Sequence, residues 1–261
     1  MASFPPSVPS KVFAPLLAGA RFPDRLLACL GALVGIALTS LVCTRLHLSA
    51  QNLPLLVAPI GASAVLLFAV PASPLAQPWP IIGGNTISAL VGVCMVKLVH
   101  DQMIAAGLAV GCAILVMSLL RCLHPPGGAA ALTTVIGGPA IVAAGFTFPF
   151  VPVMLNSALL VGVGWVFHKF SQHSYPHKPV ALAETAEEEA ATLIHMTDLD
   201  MALEELGESF DVGRADLEML LHRAEIHARR RAGLSEEADG KFRVVQVMND
   251  IGKPSNDDTA A

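Results

Sequence analysis

Apolar residues occur in blocks of bilayer length from Leu26 to Phe170, after which the chain turns polar and charged. At a helical rise of about 1.5 Å per residue, crossing a hydrocarbon core takes roughly 17 to 25 mostly apolar residues. Six blocks reach or approach that length: Leu26 to Thr44, Leu53 to Val70, Ile81 to Val99, Met103 to Leu120, Pro125 to Phe146 and Val151 to Phe167. Two of them are predicted to be irregular. Leu53 to Val70 contains Pro59 and Gly61, and the fifth opens on Pro125-Pro126-Gly127-Gly128 and is broken again at Gly137-Gly138-Pro139. The predicted fold class is therefore all-α, a polytopic bundle of membrane helices with a small helical tail.

The blocks recur as three plus three. Gly31 and Gly35 before Arg45 match Gly107 and Gly111 before Arg121, and His47 and His124 follow the two arginines. Pro59-Ile-Gly-Ala-Ser63 parallels Pro126-Gly-Gly-Ala-Ala130, and Asn85 with Ser88-Ala-Leu-Val-Gly-Val93 parallels Asn156 with Ser157-Ala-Leu-Leu-Val-Gly-Val163. Ordered agreement across three segments predicts an internal duplication, an architecture common among secondary transporters. The halves are expected to be inverted if all six blocks cross, and parallel if the middle block of each half is re-entrant. The paired glycines predict close helix contacts within the bundle or between copies.

Composition agrees with the pattern. Hydrophobic residues make up 54% and charged residues 14%, well under the roughly 25% charged of soluble domains. Up to Ser171 there are seven basic and two acidic residues; beyond it, nine basic and nineteen acidic. An acidic tail on a nearly charge-free membrane part argues against nucleic acid as a partner. Whether four or six blocks cross, the basic residues place both termini in the cytoplasm. The Pro-rich stretch before Asp24 carries no signal-peptide cleavage pattern. All five cysteines lie in or at the end of apolar blocks without a CxxC pair, and read as packing residues.

The expected domains are an N-terminal cytoplasmic segment (1–25), the membrane domain (26–170), a linker (171–196), a helical hairpin (197–233) and an unstructured end (234–261). Thr197-Asp-Leu-Asp200 has capping-box form, and Leu199, Ala202, Leu203 and Leu206 share one helical face. A second helix is predicted near Ala215 to Ala232, with acids in its first turn and Arg229-Arg230-Arg231 in its last. A short strand is predicted at Phe242 to Met248. The hairpin offers one route to self-association, and the glycine faces another.

The candidate chemistry gathers at Arg121-Cys-Leu-His-Pro-Pro-Gly-Gly-Ala-Ala130. Proline suits a first helical turn and glycine admits a ligand to the backbone, so Pro125, Pro126, Gly127 and Gly128 predict a helix start in or beside the membrane. Such a start favours an anion. Pro59, Gly61 and Ser63 offer the same in the other half, with Asn85, Asn156, Thr133 and Thr134 as polar lining. His124 reads either as a proton relay or solute ligand, or as a cap of the preceding helix. Arg121 reads as an interfacial anchor or as an anion ligand. The tail histidines place no metal trio on one helix face, and no nucleophile elbow, phosphate loop or HExxH is present. No cofactor, metal or enzymatic activity is expected.

His124-Pro-Pro-Gly-Gly-Ala-Ala-Ala-Leu132 resembles the signature of the HPP family of integral membrane proteins, and Pro59 to Pro71, Ser73 to Pro78 and Ile82-Gly-Gly84 resemble the rest of that domain. The resemblance covers roughly residues 20 to 170. It implies four transmembrane helices and a transporter role, with nitrite the solute attributed to some chloroplast and cyanobacterial members. The stretch Thr197 to Arg231 is similar to the linker that leads into paired CBS domains in bacterial members, but this chain stops too soon for that pair. The expectation is a transporter of a small solute, an inorganic anion such as nitrite, in a bacterial inner (plasma) membrane. The competing expectation is a non-transporting scaffold whose acidic tail binds a cytoplasmic partner.

Overall fold

A computed structural model of the chain describes residues 22–46, 54–171, 173–178, 196–206, 211–231, 234–236 and 242–244. The chain divides into two compact units, Met1–His177 and Lys178–Ala261.

In the first unit, four helices are long and apolar enough to cross a membrane. They are α1 (Phe22–Arg45), α3 (Asn85–Leu98, continuous with a π-helical turn at Pro80–Gly84), α4 (Gln102–Leu119) and α7 (Leu155–His168, opened by a π-helical turn at Pro149–Met154). The two blocks predicted to be irregular are so. Leu53 to Val70 forms only α2 (Pro59–Ala69), 11 residues, or about 16 Å. The fifth block forms α5 (Pro125–Ile136) and α6 (Pro139–Ala144), and the chain bends by 95° between them. Gly138 at the bend has φ 90°, a conformation that favours glycine.

Side-chain contacts fix the direction of each pass. Cys43, late in α1, meets Asn156 at the start of α7, and Gly31, early in α1, meets Phe167 near the end of α7, so the two helices are antiparallel. Along α2, Val57 bonds Asn156 and Leu67 bonds His168, so α2 runs with α7. Gln77, just before the Pro80 turn, holds His177 beyond the end of α7, whereas Lys97 lies over the Phe146 ring near α7's start; α3 therefore runs against α7. Trp79 donates to the carbonyl of Leu120, and Gln102 to that of Val135, which sets α4 against α3 and α5 against α4. The chain thus passes through the bundle six times in alternating directions, with short α2 and α5 as the second and fifth passes. Arg25, Arg121 and Lys169 fall on the face where α7 ends; Arg45 and Lys97 fall on the other.

Small residues set the spacing of two helix contacts. Gly84, Ser88 and Gly92, four apart on the α3 pass, face His124, Gly127 and Ala131 along α5, so close that a Cβ at any of the three glycines would collide with backbone or side chain across the contact. Phe68 of α2 lies against Gly31 and Gly35, at 2.5 and 2.7 Å from where their Cβ atoms would stand, and meets Phe167 edge-on at 5.3 Å. The second glycine pair behaves differently: Gly107 and Gly111 face open space within the chain.

The second unit holds α8 (Met196–Leu206) and α9 (Arg214–Arg231), joined by an ion pair of 2.7 Å between Arg214 and Asp200. The two helices lie, to within a residue, in the segment for which the sequence predicts them. The strand expected at Phe242 to Met248 is found at Phe242–Val244, paired antiparallel with Leu234–Glu236. The remaining residues of the segment read as unstructured, the N-terminal segment before Phe22 and most of the linker lie outside the described residues.

Candidate functional site

A polar cluster lies inside the bundle, built by four of the six passes. α2 contributes Ser63, α3 contributes Asn85, the residue capping α5 is His124, and α7 contributes Ser157; each is fully buried. His124 Nε2 is 2.8 Å from Ser63 Oγ, and its Nδ1 is 2.8 Å from the carbonyl oxygen of Leu75. Asn85 Nδ2 donates to Ser63 Oγ at 3.1 Å and to Ser157 Oγ at 3.2 Å.

The donors and acceptors can be assigned by elimination. A carbonyl only accepts, so His124 Nδ1 carries a proton. In the neutral ring Nε2 then accepts from the Ser63 hydroxyl, whose oxygen is left to accept from Asn85. The Ser157 hydroxyl donates to Val153 O at 2.9 Å, so it too must accept from Asn85. Both hydrogens of the Asn85 amide are therefore committed. Its Oδ1 is buried without a partner, as is Ser88 Oγ one turn further along the same helix. A doubly protonated His124 also fits: Nε2 then donates to Ser63, and the Ser63 hydroxyl turns to the carbonyl of Pro59, 3.2 Å away. Gain or loss of a proton at His124 needs only a hydroxyl rotation.

No Asp, Glu, Lys or Arg among the described residues is buried, and none of the described residues form a group that could hold a metal ion. A cavity of about 530 Å³ lies between α1 and α2. Ala64, next to Ser63, is in its wall; Asp24, Arg25 and His173 stand at its end, on the face where α7 finishes.

Of the residues predicted for the site, the structure brings the side chains of Ser63, Asn85 and His124 together, sets Pro59, Pro125, Pro126 and Gly127 beside them, and turns the others elsewhere. Asn156 is buried elsewhere, accepting from Val57 N–H at 3.1 Å and donating to Leu55 O at 3.0 Å. Arg121 is exposed at the end of α4, with φ 53°. Thr133 turns back to Ala129 O, and Thr134 to Ala131 O. Gly61 faces open space, and a Cβ on Gly128 would meet only Val110, at 3.8 Å. Gly127 is closed off by Ser88, Met117 and Gly84. Ser157 completes the cluster; it was visible only as the residue after Asn156 in the repeat.

The helix starts themselves differ from the expectation. Pro125 and Pro126 have no N–H, and the first available one, of Gly127, is spent on His124 O at 2.8 Å. Around Pro59 the N–H groups of Ile60 and Gly61 are spent on Val57 O and Ala58 O, both at 3.0 Å. The prolines that mark these starts also remove the donors an anion would use. The polar atoms gathered inside the bundle come from side chains instead.

Residues 18–176 match the family model described as HPP, transmembrane region. The chain belongs to the HPP family. Two Dictyostelium discoideum proteins, each named a transmembrane protein, are 40% and 36% identical to this HPP chain over 152 residues, 56% of its length. The alignments cover 53% and 48% of those relatives, so the chain spans about half the length of the curated relatives it matches. No solved structure matches it.

Proposed function

We propose that this HPP protein transports a small solute across a membrane, an inorganic anion of a weak acid such as nitrite. The observation that carries the reading is the buried cluster of Ser63, Asn85, His124 and Ser157, which collects polar side chains from four passes at the breaks in the helices and leaves Asn85 Oδ1, and beside it the hydroxyl of Ser88, without a partner. Polar groups in a bilayer are retained where they handle a solute or proton, because burying them unpaired is costly. Ala64, the residue after Ser63, lines a cavity between α1 and α2. His124 can exchange a proton within an intact network, which suits a solute that carries one. By the excess of basic residues on the face where α7 ends, that face is cytoplasmic.

The test is uptake of radiolabelled nitrite into proteoliposomes of the purified chain. Saturable uptake above protein-free vesicles, lost in Ser63→Ala and Asn85→Ala variants that remain folded, is the expected result. Equal uptake with and without protein rejects the reading.

A further inference from the structure

The unpartnered Asn85 Oδ1, with the unpartnered hydroxyl of Ser88 beside the cluster, identifies the form in which the solute is held. Asn85 Oδ1 is an acceptor only, since the amide hydrogens are committed to Ser63 and Ser157, and Ser88 Oγ lies on the same face of the helix one turn on. Both residues are fully buried, and Ser88 is aimed at the first turn of α5, with its Oγ 2.7 Å from where a Gly127 Cβ would stand. An acceptor that has lost its water calls for a donor. A bare anion brings none and would face the carbonyl oxygen of Asn85 with no buried cation nearby. A cation such as ammonium brings donors, but no buried carboxylate stands among the described residues to balance its charge. An uncharged molecule with an acidic O–H meets both conditions.

We propose that the solute is bound as its neutral conjugate acid, with the acid O–H donating to Asn85 Oδ1. This rests on the transport reading above and specifies its substrate class: small oxyacids weak enough to be protonated in part near neutral pH, such as nitrous or formic acid, and not the anions of strong acids, such as nitrate. The binding site holds no fixed charge. Among the described residues, those that bond or pack against the cluster bring hydroxyls, an amide, backbone carbonyls and the Met117 thioether, and Cys122, two residues before His124, is buried. Asp24, Arg25 and His173 line the cavity between α1 and α2 and not the cluster.

Initial uptake rates in proteoliposomes of the full chain distinguish the alternatives, measured for nitrite, formate and nitrate over a range of pH and corrected for protein-free vesicles. The expected result is uptake of nitrite and formate without nitrate. The half-saturating total concentration of nitrite should fall about tenfold per unit of acidification, following the fraction protonated. Asn85→Leu, which keeps volume but removes the acceptor, should weaken half-saturation about tenfold, the value of one hydrogen bond, while its melting temperature shows it folded. Nitrate carried as well as nitrite, or half-saturation independent of pH, overturns the inference and leaves the transport reading standing. No uptake of any of the three by folded protein overturns both.

Discussion

Asn85 and Asn156 each stand where a π-helical turn passes into an α-helix, yet only Asn156 has both amide atoms paired. Asn156 fastens the extended chain before α2 through Val57 and Leu55. Asn85 donates to Ser63 of α2 and to Ser157 of α7, and keeps its Oδ1 unpartnered. One of the two sites is used as a fastener and the other is left open.

That difference separates stability from transport. Asn156→Ala strands the Val57 N–H and the Leu55 carbonyl, and should destabilise the protein by about 2 kcal/mol. Asn85→Ala leaves Ser63 and Ser157 with their other partners and should cost under about 1 kcal/mol. Thermal melting in detergent should place the Asn156 variant clearly below the Asn85 variant, and the reverse order would contradict these roles.

Glycine positions give a second test. An alanine at Gly127 would set its Cβ 2.7 Å from Ser88 Oγ and 2.9 Å from Met117 Sδ, an overpacking worth about 1–3 kcal/mol. Alanine at Gly61, with nothing within 4 Å, should gain about 0.5–1 kcal/mol from helix propensity. Stability of the two variants by denaturant-free melting checks both signs. Transport lost in a Gly127 variant reports on packing, so Asn85 and Ser63 are the informative sites for solute.

Much of this organisation can be read from the chain before any coordinates. The six blocks, the breaks at Pro59 and Pro125, and Ser63, Asn85 and His124 follow from spacing and residue chemistry. Which polar residues meet does not, because Asn85 and Asn156 both precede a similar Ser-Ala-Leu stretch and their different partners are set by what folds against them. Proline misleads in a particular way: it marks a helix start and at the same time strips that start of its N–H donors. Gly127 and Gly61 look alike in sequence as well; one faces a neighbouring helix and the other faces outward, which rotation of α2 and α5 in the bundle decides.

Tyr175 tests the segment that follows α7. It is the sole tyrosine of the chain, buried, donating to Ala76 O at 3.0 Å, and burial pushes its phenol up from the ordinary value of 10.0. Because the folded chain holds the proton more tightly than the unfolded one, this contribution to stability is complete below pH 10 and is lost as pH rises further. An ultraviolet titration of the detergent-solubilised protein should show no tyrosinate at pH 10, where an exposed phenol is half ionised. Ionisation there without unfolding would place Tyr175 outside the contact.

The boundary between the units predicts what the acidic tail can lose. Gln77 Oε1 accepts from the His177 N–H at 2.9 Å, Tyr175 bonds Ala76, and His168 bonds Leu67, so residues 168–177 belong to the first unit. The same loop, through Leu75 O, orients His124. A chain ending after Lys178 keeps all of these contacts and should insert and melt as the full chain does. A chain ending after Lys169 keeps the whole of α7 but loses Tyr175 and His177, which releases Ala76 and Gln77 and loosens the carbonyl that fixes His124 Nδ1. It should still insert, melt several degrees lower, and lose nitrite uptake to a degree similar to His124→Ala. Membrane extraction, melting and uptake on the two truncations check this. Equal behaviour of both would show that the segment after α7 has no part in holding the site.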